Sequence, residues 1–163
     1  MWCSVRNSYM GDVPTWSDDS GSTFNFSAGL YMPGLGECSI AQTANGSLFL
    51  IARNCWAGTP KKCLTADLAM RKGPSGSHRF VYSISNNGGV TWTRPRQHPQ
   101  LVTPICQGSI ISHQGPADRA PCLYFAQPYS TTGMCEQQTT NRCNGSILAS
   151  DDNGATFSRA LRL

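Results

Sequence analysis

Short runs of alternating or continuous apolar residues, separated by polar turns, recur along the chain and predict β-strands. No long stretch has the i, i+3, i+4, i+7 apolar spacing of a helix, and the one possible helical turn is 64–71. Asn45-Gly46, between the first two strands, predicts a type I′ hairpin. The predicted strands form two sets of four: 39–43, 47–53, 79–85 and 91–93, then 108–112, 122–126, 145–150 and 156–161.

The pattern S-x-[DN]-x-G-x-T-[FWY] occurs three times, at 17–24, 85–92 and 150–157, so its copies start 68 and then 65 residues apart. Asp or Asn at the third position can accept hydrogen bonds from the following backbone, and Gly at the fifth can adopt a positive φ. Each copy therefore predicts a turn, which joins the third and fourth strands in both sets. Such a long-period recurrence indicates repeated supersecondary units.

Repeated four-stranded antiparallel units predict the blades of a β-propeller. A propeller closes its ring with about 4–8 blades, whereas this chain supplies about two and a half. Open blades would leave apolar faces in water. We therefore expect residues 1–163 to be an internal part of a larger propeller domain; the alternative is a self-contained sandwich of two sheets.

Composition agrees with an all-β fold and argues against two classes of partner. Hydrophobic residues make up 39% of the chain and charged residues 13%, with 16 Gly and 10 Pro. The net charge of +4 comes from scattered basic residues, which predicts a solvated surface and no nucleic-acid binding. No apolar run approaches the ~20 residues of a membrane span.

The chain has eight cysteines and three histidines but no C-x-x-C spacing, so we expect no metal site. Cys55 and Cys63 have the same spacing as Cys135 and Cys143, and each pair brackets a polar loop. This predicts two loop-closing disulfides, with buried free thiols as the open alternative.

Three N-x-S sequons begin at Asn25, Asn45 and Asn144. Together with the cysteines they weakly favour a secretory, extracellular or lysosomal protein. The N-terminus has no apolar segment of the kind found in signal peptides. A chain lacking its true N-terminus would reconcile these features, and the compartment stays open.

The three turns resemble the Asp boxes of the sialidase (neuraminidase) superfamily. Residues 34–40 followed by 45–54 resemble the family's stretch with an ordered Glu and Arg, and 106–112 (CQGSIIS) is similar to a segment of animal-type sialidases. Residues 141–147 resemble the segment in which an Arg leads into the strand before an Asp box. The resemblance implies a six-bladed propeller whose active site lies near the axis, on the face opposite the Asp boxes.

The resemblance also implies an exo-α-sialidase, which hydrolyses terminal α-linked sialic acid from glycoconjugates with retention. The substrate has a carboxylate on its anomeric carbon, so a neutral Tyr is a better nucleophile than a repelled carboxylate. Tyr is a weak nucleophile near its ordinary pKa of ~10, so a neighbouring carboxylate must accept its proton. The resemblance assigns that catalytic role to Glu37.

Arginine suits the substrate carboxylate because its rigid guanidinium can donate two parallel hydrogen bonds. The resemblance assigns substrate binding to Arg53 and Arg142. Arg79 also precedes a strand that leads into an Asp box, but the spacing from Glu37 favours Arg53. The implied partners are sialylated glycans, and the implied chemistry needs no cofactor and no metal.

Two parts of the family's chemistry have no match here. Its first Arg and acid/base Asp lie upstream of the matched region, and its nucleophilic Tyr lies downstream. We therefore expect negligible turnover by the isolated chain. The alternative function is a non-catalytic Asp-box propeller that binds glycans or proteins, in which Glu37 could become Gln without loss of function.

Overall fold

The computed structural model describes residues 2–5, 11–27, 32–33, 36–53, 78–104, 106–115, 120–129 and 142–162. These residues form strands and turns, with no helix among them. The predicted turn at 64–71 and the cysteines Cys55, Cys63 and Cys135 lie outside the described residues.

Within the described ranges, twelve strands form three antiparallel sheets in chain order. The first sheet contains β1 (Trp2–Val5), β2 (Gly11–Trp16), β3 (Asn25–Phe26) and β4 (Met32–Pro33). The second contains β5 (Gly36–Gln42), β6 (Leu48–Arg53), β7 (His78–Ser85) and β8 (Arg96–Thr103). The third contains β9 (Ser109–His113), β10 (Cys122–Pro128), β11 (Gly145–Ser150) and β12 (Ser158–Arg162).

The second and third sheets are up-and-down sheets of four strands, and in the first sheet β3 and β4 both pair with β2. The first strand of the second sheet, β5, contacts both β9 and β1 of the neighbouring sheets. Separate sheets made of consecutive strands are blades of a propeller, so the sandwich alternative is wrong.

Most of the core lies in the seam between the second and third sheets. Phe80 and Phe125 meet there edge to face, with ring centroids 5.0 Å apart. Leu50, Ala52 and Val81 form a smaller cluster on the other face of the second sheet. Because this sheet is buried on both faces, β6 is a continuous apolar run, whereas β10 and β11 alternate.

The predicted strand at 91–93 is wrong, because the fourth strand of the second sheet is β8. Thr93 accepts hydrogen bonds instead, at its carbonyl from Ser83 Oγ (2.6 Å) and at Oγ1 from the Ile84 N–H (3.0 Å). Trp92 Nε1 donates to the Gly89 carbonyl (3.0 Å). Because of these contacts, residues 91–93 belong to the turn. Antiparallel pairing with β7 begins at Arg96.

The β5–β6 hairpin forms as predicted, but its turn is not type I′. Type I′ requires positive φ at both central residues, and Gly46 has φ +84° whereas Asn45 is not in that region. The Gly46 N–H donates to the Thr43 carbonyl (3.0 Å). The Thr43 N–H donates to the Ser47 carbonyl (2.8 Å). This is a three-residue loop closed by a glycine bulge.

Candidate functional site

Glu37 and Arg53, which the sequence placed in one site, are in contact. Arg53 Nη1 donates to Glu37 Oε2 at 2.7 Å, and the side chains are 14% and 42% exposed, respectively. Glu37 lies at the start of β5 and Arg53 ends β6, so antiparallel pairing brings both to one end of the second sheet. The shielded guanidinium and the accessible carboxylate form an ion pair open to solvent on one side.

The backbone at Glu37 is unusual and directs this contact. Gly36 pairs with Arg53 and Ser39 with Ile51, so two residues of β5 oppose one residue of β6. Glu37 has φ +54° in this β-bulge, a left-handed conformation that costs a non-glycine residue about 1 kcal/mol. Bulges and strained backbone are concentrated beside active sites, where they change the direction of a side chain.

Two neighbours fix this segment. Ser39 Oγ accepts from the Ile110 N–H at 3.1 Å and donates to the Ile110 carbonyl at 3.3 Å, which joins β5 to β9 across the seam. Cys38 is disulfide-bonded. Sequence reasoning assigned a role to neither residue; the only signal was their position beside Glu37 in a Gly-rich segment.

Arg142 lies at the same end of the neighbouring blade. It precedes β11 and is exposed. Because Ser39 near the start of β5 contacts Ile110 near the start of β9, and β9, β10 and β11 alternate in direction, the start of β11 lies at the same end as Glu37. The structure thus brings Glu37 and Arg53 into contact and places Arg142 at the corresponding end of the next sheet.

Cys143, directly after Arg142, is disulfide-bonded. Its predicted partner Cys135 lies outside the described residues. Cys106 and Cys122 are free thiols. The pairing of Cys135 with Cys143 and that of Cys55 with Cys63 stay predictions.

The three turns that resemble Asp boxes, called Asp boxes below, share one hydrogen-bond pattern. The hydroxyl of the first-position Ser accepts from the N–H of the fifth-position Gly, at 2.8, 2.9 and 2.9 Å. The third-position Asp or Asn accepts from the N–H of the seventh-position Thr, at 2.8, 2.9 and 2.9 Å. Each box is therefore a turn locked by its own side chains.

In the second box, which has Asn in place of Asp, the hydrogen bond between the third-position side chain and the Thr hydroxyl has the opposite direction. In the other boxes the Thr hydroxyl donates to the carboxylate, at 2.6 Å for Asp19 and 2.5 Å for Asp152. In the second box Asn87 Nδ2 donates to Thr91 Oγ1 at 2.8 Å. The turn therefore forms with either residue, as the sequence predicted.

Hydrogen bonds within the boxes hold the two carboxylates ionised. Side-chain and backbone bonds from Thr23, with one from Ser17, lower the pKa of Asp19 to about 2. Burial raises the pKa of Asp152, but the bonds from Thr156 and Ser150 outweigh it and lower that pKa to about 2 as well.

The second and third boxes join β7 to β8 and β11 to β12, at the end of each sheet opposite Glu37 and Arg142. They therefore lie away from the candidate site and stabilise the scaffold. Among the described residues no cluster of His, Cys, Asp and Glu could hold a metal ion, and no helix in that part of the chain is long and apolar enough to cross a membrane.

Solved structures with similar folds include sialidases and trans-sialidases. A Hadza microbial sialidase is 21% identical with a TM-score of 0.57, and the match covers 91% of this chain and 24% of that one. A leech intramolecular trans-sialidase is 22% identical with a TM-score of 0.56, covering 92% and 19%. The intramolecular trans-sialidase of Ruminococcus gnavus is 20% identical, also with a TM-score of 0.56, covering 92% and 26%.

These proteins are β-propellers, so the chain has a sialidase-type propeller fold. It spans about a quarter or less of the length of these structures and is a partial propeller. No protein-family model and no curated protein matches the sequence.

Proposed function

We propose that the chain is part of an exo-α-sialidase that removes terminal α-linked sialic acid with retention of configuration. The observation that carries the proposal is the Glu37–Arg53 contact on a strained bulge. It lies at the end of the blade opposite the Asp boxes, where the family resemblance expects the active site. The solved sialidase structures support the fold on which this site would be built.

Arg53 is the proposed anchor for the substrate carboxylate. The 2.7 Å contact with Glu37 is the only hydrogen bond of its guanidinium among the described residues. A guanidinium has five N–H donors, and none of the other described residues competes with a second carboxylate for the remaining donors. Being 14% exposed, Arg53 is shielded from water, and partial desolvation strengthens its attraction to an anion. Arg142, on the neighbouring blade, is proposed to bind the same group.

Glu37 is the proposed base for a neutral Tyr nucleophile. Its carboxylate is 42% exposed and can accept a proton from a hydroxyl brought to it. The contact with Arg53 fixes the position of the carboxylate oxygen. As the Tyr proton moves to Glu37, the Tyr oxygen bonds to the anomeric carbon and the glycosidic bond breaks.

Retention requires a second displacement, in which water attacks the anomeric carbon and Tyr leaves. In the first step a separate acid protonates the leaving group. In the second step the conjugate base of that acid takes a proton from the attacking water, and the departing Tyr regains its proton from Glu37. We assign neither the Tyr nor that acid to a residue of this chain. The proposed activity therefore belongs to the longer protein that contains it.

The test is a fluorogenic sialoside assay of the complete open reading frame that contains this chain. We expect fluorophore release from the α-sialoside and none from a matched β-galactoside. Proton NMR of the sialoside reaction should show the α-anomer of sialic acid as the first product. A purified, folded protein that releases no fluorophore contradicts the proposal, and the β-anomer as first product contradicts retention.

A further inference from the structure

The three sequons lie in different structural settings. N-linked glycans are attached at Asn-x-Ser/Thr in surface segments, and the attachment atom is Nδ2 of the Asn. The described residues include all three sequons, at Asn25, Asn45 and Asn144. The structure can therefore rank them by exposure, by backbone setting and by the partners of each side chain.

Asn45 lies in the exposed turn between β5 and β6. Its Oδ1 accepts hydrogen bonds from Thr43 Oγ1 (2.7 Å) and from the Ser47 N–H (3.1 Å). Its Nδ2 makes no hydrogen bond within the described part of the chain. Because the oxygen faces the turn, the nitrogen is left for a substituent. The Ser47 hydroxyl donates to Asn86 Oδ1 at 2.7 Å, but Ser47 is half-buried, whereas the sequon Ser residues Ser27 and Ser146 are buried.

A substituent on Nδ2 would also leave the contact between blades intact. Asn45 contacts the third Asp box through its backbone, whose N–H donates to Asn153 Oδ1 at 3.2 Å. The turn follows β5 and lies at the Asp-box end of the blade, whereas Glu37 lies at the other end. A glycan here would therefore extend away from the candidate site.

The sequon at Asn25 is less suitable because it lies within a strand. Asn25 and Phe26 form β3, and Ser27, 6% exposed, is part of a contact between blades. Its hydroxyl donates to the Gly89 carbonyl and accepts from Trp92 Nε1 at 3.0 Å. Only its first two residues are exposed.

The sequon at Asn144 is both constrained and close to the candidate site. Asn144 has φ +55°, and its Oδ1 accepts from Arg162 Nη2 at 2.9 Å. Ser146 is 1% exposed and donates its hydroxyl to the Asn144 carbonyl at 2.9 Å. Asn144 is also two residues from Arg142, so a glycan there would crowd the proposed substrate anchor.

We propose that Asn45 is an N-glycosylation site of this protein and that its glycan covers the Asp-box face of the propeller. The disulfides at Cys38 and Cys143 are typical of an oxidising compartment, where the donor, a lipid-diphosphate-linked oligosaccharide, is also found. In the transfer, the bond from the sugar C1 to the diphosphate oxygen breaks and a C1–Nδ2 bond forms. Nδ2 loses one proton, and the lipid diphosphate leaves.

The test is mass spectrometry of the protein purified from its own source, after enzymatic release of N-glycans in heavy-oxygen water. The expected result is conversion of Asn45 to heavy-oxygen-labelled Asp in most molecules. In a secretory eukaryotic host, Ser47→Ala should remove the corresponding gel shift while keeping Asn45 and its turn. Ser47→Thr, which preserves the sequon, should retain the shift.

Two results would overturn the proposal. One is an unlabelled Asn45 in the native protein, whether or not Asn25 or Asn144 is labelled. The other is a gel shift of the same size in the Ser47→Ala variant as in the wild type. Neither result depends on sialidase activity, so the outcome is independent of the proposed function.

Discussion

The Gly154 carbonyl accepts a hydrogen bond from His98 Nε2 at 3.0 Å, and this contact fixes the third Asp box to the preceding blade. His98 Nδ1 accepts from the N–H groups of Gln100 and Leu101, both at 3.2 Å, so the proton is on Nε2 and the ring is neutral. The carbonyl of the equivalent Gly89 accepts from Ser27 and so contacts the first sheet. The fifth-position Gly of a box thus joins one blade to the one before it.

Gly154→Ala should destabilise the protein more than Gly21→Ala. Both glycines occupy the fifth position of a box, with φ +88° and +92°. A Cβ at 154 would lie 2.5 Å from Phe49 Cε2, whereas one at 21 would meet only Phe24, at 4.0 Å. We expect the free energy of unfolding to fall by about 3 kcal/mol in Gly154→Ala and by about 1 kcal/mol in Gly21→Ala. Urea unfolding measures both, and equal losses would show that Gly154 is not packed against the second sheet.

Local chemistry in the sequence was enough to predict most of the scaffold. The boxes fold as predicted because each turn is closed by its own Ser, Asp or Asn, and Thr. Strand 91–93 was predicted wrongly because Thr93 is bound by the Ser83 hydroxyl and the Ile84 N–H of β7, and Trp92 contacts Ser27, which is far away in sequence. The type I′ turn was wrong because the Asn45 side chain binds Thr43 and Ser47.

For the candidate site, the sequence motifs predicted the residues but not their geometry. Glu37 and Arg53 were paired by resemblance, whereas the positive φ and the bulge at Glu37 depend on the pairing of β5 with β6. The bridge from Ser39 to Ile110 joins two blades and leaves no pattern in a single sequence. Non-local contacts of this kind could not be read from the residue types.

The Asp boxes should lose stability in acid. The pKa of Asp152 is lowered from 3.8 to about 2 on folding, so its contribution is complete above pH 4 and is lost as the pH falls towards 2. Asp152→Asn should remove this part of the pH dependence and cost less than about 1 kcal/mol at pH 7, because Asn87 forms the same turn. The prediction is tested by measuring the urea midpoint of unfolding between pH 5 and pH 2. A variant whose midpoint falls with pH as steeply as that of the wild type would contradict the prediction.

His98 should contribute a separate pH dependence at higher pH. Burial disfavours the imidazolium and lowers the pKa of His98 below 6.5; nearby Arg79 also lowers it, whereas the bond to Gly154 and the charge of Asp152 raise it. Stability from the neutral ring is therefore complete above pH 6.5 and is lost as the pH falls below that value. His98→Gln should reduce the change in the free energy of unfolding between pH 7 and pH 5. A pH dependence equal to that of the wild type would contradict this role of His98.

The most direct test of the account is the turnover of Glu37→Gln in the complete reading frame, with Asp151→Asn as the matched control. Asp151 is an exposed Asp-box carboxylate at the opposite end of its blade, so its variant should keep wild-type kcat and KM. Loss of the base for the nucleophile should lower kcat for a fluorogenic α-sialoside about a thousandfold, with KM changed less than about threefold. Wild-type turnover in Glu37→Gln would contradict the account.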